Sequence, residues 1–98
     1  MKIVWTHEAL ERLTGIEDYI SKDSPERAAR FVDQLIQHAE SLRDTPRAGR
    51  IVPEIAHPDI LELIFKKYRI VYRVKKDCIE LLTVFEGHIL LRINKPAS

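Results

Sequence analysis

The chain has 98 residues, of which 45% are apolar and 32% are charged, and its formal net charge is +1. This balance is typical of one globular domain and excludes an intrinsically disordered chain. No apolar run approaches the roughly 20 residues that cross a bilayer, which argues against a membrane protein. The apolar start of the chain is too short for a signal peptide, so we expect a cytoplasmic protein.

The charges are distributed unevenly along the chain. Residues 1–42 carry five Lys or Arg against eight Asp or Glu, a balance of −3. Residues 43–98 carry eleven against seven, a balance of +4. Such an asymmetry indicates either a nucleic-acid or acidic protein partner, or a sheet edge protected by exposed cations.

The chain begins with a predicted strand and a first helix. Lys2–Trp5 reads as a short strand, and Thr6 suits the N-cap of a helix that we expect to end at about Lys22. Within this helix Gly15 costs about 1 kcal/mol relative to Ala. We expect Gly15 to permit the close approach of another element.

A second helix follows at once. Ser24 suits its N-cap and Pro25 its first helical position, and we expect the helix to end at about Asp44. The linker between the two helices is too short for anything except an antiparallel helical hairpin.

The remainder of the chain predicts a sheet. Ile51–Glu54 is a candidate extended segment, which Pro53 would confine to an edge. A tight turn at Lys76-Asp77 joins the last two of three further strands. These strands are predicted at about Ile60–Lys66, Tyr68–Lys75 and Cys78–Phe85.

The last of these strands is apolar on both faces at its centre, which favours an interior position in the sheet. We expect His88–Ile93 to form a final short strand or helical turn, and about residues 94–98 to form a frayed tail. The predicted fold class is α+β: one domain, residues 1–98, with a helical hairpin on one face of a mainly antiparallel, twisted sheet of three or four strands.

Neither a metal site nor a cofactor is expected. The single cysteine, Cys78, lies in an apolar run and is interpreted as a buried structural thiol. The glycines are too scattered for a phosphate-binding loop. Four histidines show no ligand spacing: His7, His38, His57 and His88.

The most informative residues are cations and tyrosines on and around the middle predicted strand. Strand alternation places Arg69 and Arg73 together on one face and Tyr68 and Tyr72 on the other. A guanidinium can grip a phosphate or a carboxylate through two hydrogen bonds. Periodicity alone nevertheless favours a solvent-facing row of charge. The candidate partner-binding residues are Arg47, Arg50, Lys66, Arg69, Tyr72 and Arg73.

Several segments resemble the RelE/ParE superfamily of toxins from type II toxin–antitoxin systems, and they follow one another along the chain in the order typical of that superfamily. The most specific is Tyr68–Val74. The others are Trp5 with Ala9, Tyr19-Ile20, Ser24-Pro25 with Ala28 and Phe31, Pro46–Arg50, Val52–Glu54 and Ile79–Val84. The resemblance implies a helical hairpin packed on a twisted antiparallel sheet. It also implies a cognate antitoxin that wraps around the toxin.

The two branches of the superfamily differ in their target. RelE-like members cleave mRNA on the ribosome, whereas ParE-like members are linked to poisoning of DNA gyrase. RelE-like chemistry uses lysines in the strand before the Tyr-Arg strand, an arginine within it, and an arginine and an aromatic residue near the C-terminus. Here Arg69 matches the central arginine, but the preceding strand has lysines only at its end and no tyrosine follows Tyr72. Where the family often has His, this chain has Glu86, and His88 follows the glycine.

We therefore expect a ParE-like toxin that binds gyrase and has no catalytic residues. The alternatives are a RelE-like endoribonuclease that uses Arg69, Arg73 and His88, and a non-toxic member that only binds its antitoxin. We expect the antitoxin to present an acidic, disordered C-terminal segment that folds on binding. Arg69 and Arg73 should differ in role, one bracing the fold against a carboxylate and the other facing a partner.

Overall fold

The computed structural model describes residues 1–88. The elements follow in the order β1 (Lys2–Trp5), α1 (His7–Ser21), α2 (Pro25–Glu40), β2 (Arg50–Ile51), β3 (Ile60–Phe65), β4 (Tyr68–Val74) and β5 (Cys78–Glu86). The five strands form one sheet in the order β1-β5-β4-β3-β2. Among the strand pairs within residues 1–88, only β1–β5 is parallel. The predicted α+β class, with a helical hairpin on a mainly antiparallel sheet, is confirmed.

Both helices begin as the sequence predicts. The hydroxyl of Thr6 accepts a hydrogen bond from the Ala9 N–H at 3.1 Å, and that of Ser24 accepts one from Arg27 at 3.2 Å. The second helix, however, is shorter than expected. It ends at Glu40 and tightens into a 3-10 turn over Ser41–Arg43, in which the Ser41 hydroxyl bonds back to the His38 carbonyl at 2.6 Å.

The core lies between the helical hairpin and one face of the sheet. Strand alternation directs the odd-numbered residues of β3 and the even-numbered residues of β4 toward the helices. They pack there against Leu35 and Ala39 of α2 and Ala9 of α1, all of which are fully buried. The buried sheet residues of this core are Leu61, Tyr68, Ile70, Tyr72, Ile79, Leu81 and Val84.

The interior position predicted for the last strand is confirmed, since β5 lies between β1 and β4. Its two apolar faces have a local cause. Val71 is paired with Thr83, but the next residue, Tyr72, is paired with Leu81, so Leu82 is the extra residue of a β-bulge. A bulge shifts the alternation of side chains by one position, which places apolar residues side by side.

Other sequence predictions need correction or fall outside the described residues. The edge strand after α2 exists but is confined to Arg50–Ile51, because Pro53 cannot extend the pairing. Cys78 is half-buried at the start of β5 rather than part of the core. Of the element expected at His88–Ile93, all residues after His88 lie outside the described residues, and so does the expected tail. No helix within residues 1–88 is long and apolar enough to cross a membrane.

The close approach expected at Gly15 is found at Gly49 instead. A Cβ atom on Gly15 would meet nothing within 4 Å. A Cβ on Gly49 would lie 2.4 Å from the Glu62 carbonyl oxygen and 2.7 Å from the Tyr72 hydroxyl. The loop before β2 therefore packs directly on the sheet, and only glycine fits there.

The two glycines make a matched pair of tests. Gly49→Ala should destabilise the fold by about 1–3 kcal/mol, because the contacting atom belongs to the backbone of β3 and cannot rotate away. Gly15→Ala should stabilise it by up to about 1 kcal/mol through helix propensity. Urea unfolding of both variants measures the two effects. Equal changes of the same sign would contradict this packing.

Candidate functional site

The face of the sheet turned away from the helices, called the open face here, carries a buried cluster of charge. Alternation along β4 directs Arg69 to this face, between the inward-facing Tyr68 and Ile70. Arg69 is only 5% exposed. The solvent-facing row favoured by periodicity is therefore wrong for Arg69. Arg73, four residues further along β4, is exposed.

The carboxylate of Glu62 on β3 is the first partner of Arg69. The Arg69 Nε donates to Glu62 Oε1 at 2.7 Å, and the exposed Arg50 Nε donates to Glu62 Oε2, also at 2.7 Å. Glu62 is itself 1% exposed. One buried carboxylate thus joins β2, β3 and β4 through two guanidinium groups.

The second partner is Glu54, from the loop between β2 and β3. Its two carboxylate oxygens accept hydrogen bonds from the two terminal nitrogens of Arg69, each at 2.7 Å. This bidentate pair, with help from Glu62, raises the pKa of Arg69 above its already high ordinary value in spite of burial. Arg69 also stacks on Phe85 of β5, with Cζ 5.0 Å from the ring centroid.

This arrangement decides what the open face can do chemically. An open groove of about 420 Å³ adjoins the cluster, and Arg69 is one of the residues that line it. The Nε and both terminal nitrogens of Arg69 already donate hydrogen bonds to carboxylates. The guanidinium therefore stabilises the fold and is not available as a binding site for another anion. The groove residues are Arg50, Pro53, Glu54, Ile64, Arg69 and Gly87. Arg69 thus has the carboxylate contacts expected of a bracing arginine, and the partner-facing role of Arg73 stays a prediction.

Tyr72 lies on the opposite face from Arg69 and is fully buried. Its hydroxyl accepts a hydrogen bond from the Gly49 N–H at 2.9 Å. Burial raises the pKa of Tyr72 above its ordinary value of 10.0, and the Gly49 bond opposes that rise. Among the residues singled out as partner contacts, Tyr72 therefore has a structural place in the core.

The other candidate residues are dispersed. Arg47 is exposed and binds the Pro58 carbonyl at 3.1 Å and the Asp59 carboxylate at 2.9 Å, which fixes the loop before β3. The same contact lowers the pKa of Asp59. Lys66 lies in the turn between β3 and β4, on the helical side. His88, from the hypothetical ribonuclease set, is exposed and lies 3.4 Å from the Glu86 carboxylate.

Sequence reasoning missed the two carboxylates that organise the open face. Glu62 had a visible signal, because it is the only charged residue within Ile60–Phe65. A lone charge in an apolar strand usually needs a buried partner. Glu54 had no such signal, since its role depends on how a loop folds back over the sheet. Within residues 1–88 there is no group of three or more His, Cys, Asp or Glu that could hold a metal ion.

Comparisons with known proteins agree with the fold. The family model described as "ParE toxin of type II toxin-antitoxin system, parDE" matches residues 3–90. The chain is 39% identical over 87 residues to "Putative toxin Y4kP" of Sinorhizobium fredii, with 89% of this chain and 88% of that protein covered. It is 44% identical over 50 residues to "Toxin RelE2" of Caulobacter vibrioides, with 51% and 57% covered.

A solved structure agrees as well. The protein described as "Chromosomal ParDE TA system from P. aeruginosa" superimposes with a TM-score of 0.74 at 25% sequence identity. The superposition covers 88% of this chain and 95% of that chain.

The burial of Tyr72 predicts a pH dependence of stability. Because the folded-state pKa is raised, the contribution of Tyr72 to stability is complete below about pH 10 and is lost as pH rises above it. Tyr72→Phe should cost about 1–2 kcal/mol at neutral pH, since the Gly49 N–H loses its acceptor. The variant should then lose less stability than the wild type between about pH 8 and about pH 11. Urea unfolding at both pH values measures this, and parallel losses would contradict it.

Proposed function

The chain belongs to the ParE toxin family of type II toxin–antitoxin systems, and from that premise we propose that it arrests growth by binding DNA gyrase. In this proposal it acts in the cytoplasm as a protein-binding toxin rather than as a nuclease. Its antitoxin, the partner that the family implies, neutralises it by covering its surface.

The observation that carries the proposal is the state of Arg69. RNA cleavage needs cations directed at the phosphorane and an acid–base pair at the reacting oxygens. Here the guanidinium that matches the central arginine of the superfamily is held by Glu62 and by both oxygens of Glu54, at 2.7 Å in each case. These contacts favour a structural role for it and a function based on protein binding.

A ribosome-dependent endoribonuclease is the second candidate. It is supported by the likeness of half the chain to a protein named Toxin RelE2. Two of its three candidate residues are exposed, Arg73 and His88. They would have to act without Arg69, or after displacement of the Glu54 carboxylate.

The test compares the two targets directly. We expect the purified protein to inhibit DNA supercoiling by gyrase and to leave mRNA uncut in a reconstituted translation system. Arg69→Ala is a poor control, because it removes a buried brace and would strongly destabilise the domain. Arg73→Gln and His88→Asn are better, since both side chains are exposed and the fold should survive. Codon-specific cuts that disappear in these two variants would overturn the proposal in favour of the ribonuclease.

A further inference from the structure

A second groove, here called the hairpin groove, lies on the helical side, where the end of α1 and the first half of α2 meet the β3–β4 turn. Its volume is about 280 Å³. The helical hairpin brings its residues together across more than 40 positions of sequence. They are Ile20, Arg27, Arg30, Phe31, Gln34 and Lys66.

The charge of the hairpin groove is not compensated. Arg27 and Arg30 lie three residues apart on α2, on neighbouring positions of one helix face, and Lys66 faces them from the turn. Within residues 1–88 none of these three cations forms an ion pair, and no carboxylate lines the groove. Arg47, Arg50 and Arg69, in contrast, each have a carboxylate within 3 Å. An anion at the hairpin groove would relieve the mutual repulsion of the three cations.

The side chain of Lys66 is held at the hairpin groove, and its backbone adopts the positive φ that the two-residue turn between Phe65 and Tyr68 requires. Its φ is +53°, in the left-handed region that favours glycine and strains other residues. The side chain extends over two aromatic rings, with Nζ 5.5 Å from the Phe31 centroid and 5.7 Å from that of Phe65. Lysine therefore occupies a position where glycine would fit with less strain, and its ammonium group is held at the groove.

The ligand chemistry follows from the size and lining of the hairpin groove. Half-buried Ile20 and Phe31 supply apolar surface next to the cations. A domain with a net charge of +1 has less charge to offer a nucleic-acid backbone than a strongly basic domain has. We propose that the hairpin groove binds an acidic, amphipathic peptide segment, whose carboxylates meet Arg27, Arg30 and Lys66 while an apolar side chain contacts Ile20 and Phe31. This inference rests on the proposed function, in which the partner is the antitoxin.

The test uses the full chain and the antitoxin encoded beside its gene. Arg27→Gln/Arg30→Gln should weaken the complex about tenfold or more and should reduce the salt dependence of the dissociation constant between about 50 mM and about 300 mM NaCl. Lys66→Gly should also weaken it, although its melting temperature should not fall, because glycine relieves the strain at this position. Such a loss of binding without loss of stability would not arise from a purely structural role.

The control removes the same charge elsewhere. Lys2 and Lys76 are exposed, form no ion pair within residues 1–88, and lie near the opposite end of the sheet from Lys66. Lys2→Gln/Lys76→Gln should change the affinity by less than about twofold.

Three results would overturn the inference, and they can be told apart. Unchanged affinity in the Arg27/Arg30 and Lys66 variants would overturn the hairpin groove alone and leave the proposed function intact. Loss of duplex DNA binding in the same variants, with antitoxin affinity unchanged, would assign the groove to nucleic acid instead. Failure of the wild-type chain to bind the antitoxin would overturn the proposed function together with the inference.

Discussion

Arg69 carries a full positive charge inside a domain of 98 residues, and the open face is arranged around the need to neutralise it. A buried guanidinium without partners would cost several kcal/mol. Glu62 on the neighbouring strand and Glu54 in a loop accept hydrogen bonds from Arg69, and Arg50 donates to the second carboxylate oxygen of Glu62. Two strands, one edge strand and one loop are thereby fixed relative to one another by four side chains.

This constraint links the fold to the proposed function. The loop that carries Glu54 also forms one wall of the groove on the open face. Because the two carboxylates and two guanidinium groups of this cluster balance one another, the cluster has little free charge to offer a phosphate. The hairpin groove is different, since its three cations have no described carboxylate partners. Internal neutralisation on one side of the sheet and uncompensated charge on the other favour a protein that works by binding.

The fold could be predicted from the sequence to the extent that local signals define it. The caps at Thr6 and Ser24 and the alternation along β4 locate the helices and the direction of each side chain. The burial of Arg69 could not be predicted in this way, because it depends on a loop 15 residues earlier in the chain. For the same reason the sequence did not reveal which glycine permits a close approach. Gly15 has a local cost in helix propensity, but the close approach at Gly49 is created by tertiary packing.

The pairing of Arg69 with Glu62 and Glu54 holds the open face together. A double-mutant cycle on Arg69→Met and Glu62→Met tests it most directly. We expect Arg69→Met alone to cost about 3–5 kcal/mol, because it leaves the buried Glu62 carboxylate with only the exposed Arg50. The loss in the double variant should be clearly smaller than the sum of the two single losses. The pair Arg47–Asp59, with a similar separation of 2.9 Å but exposed side chains, should show a much smaller coupling. A coupling for Arg69–Glu62 no larger than that of the exposed pair would contradict the account.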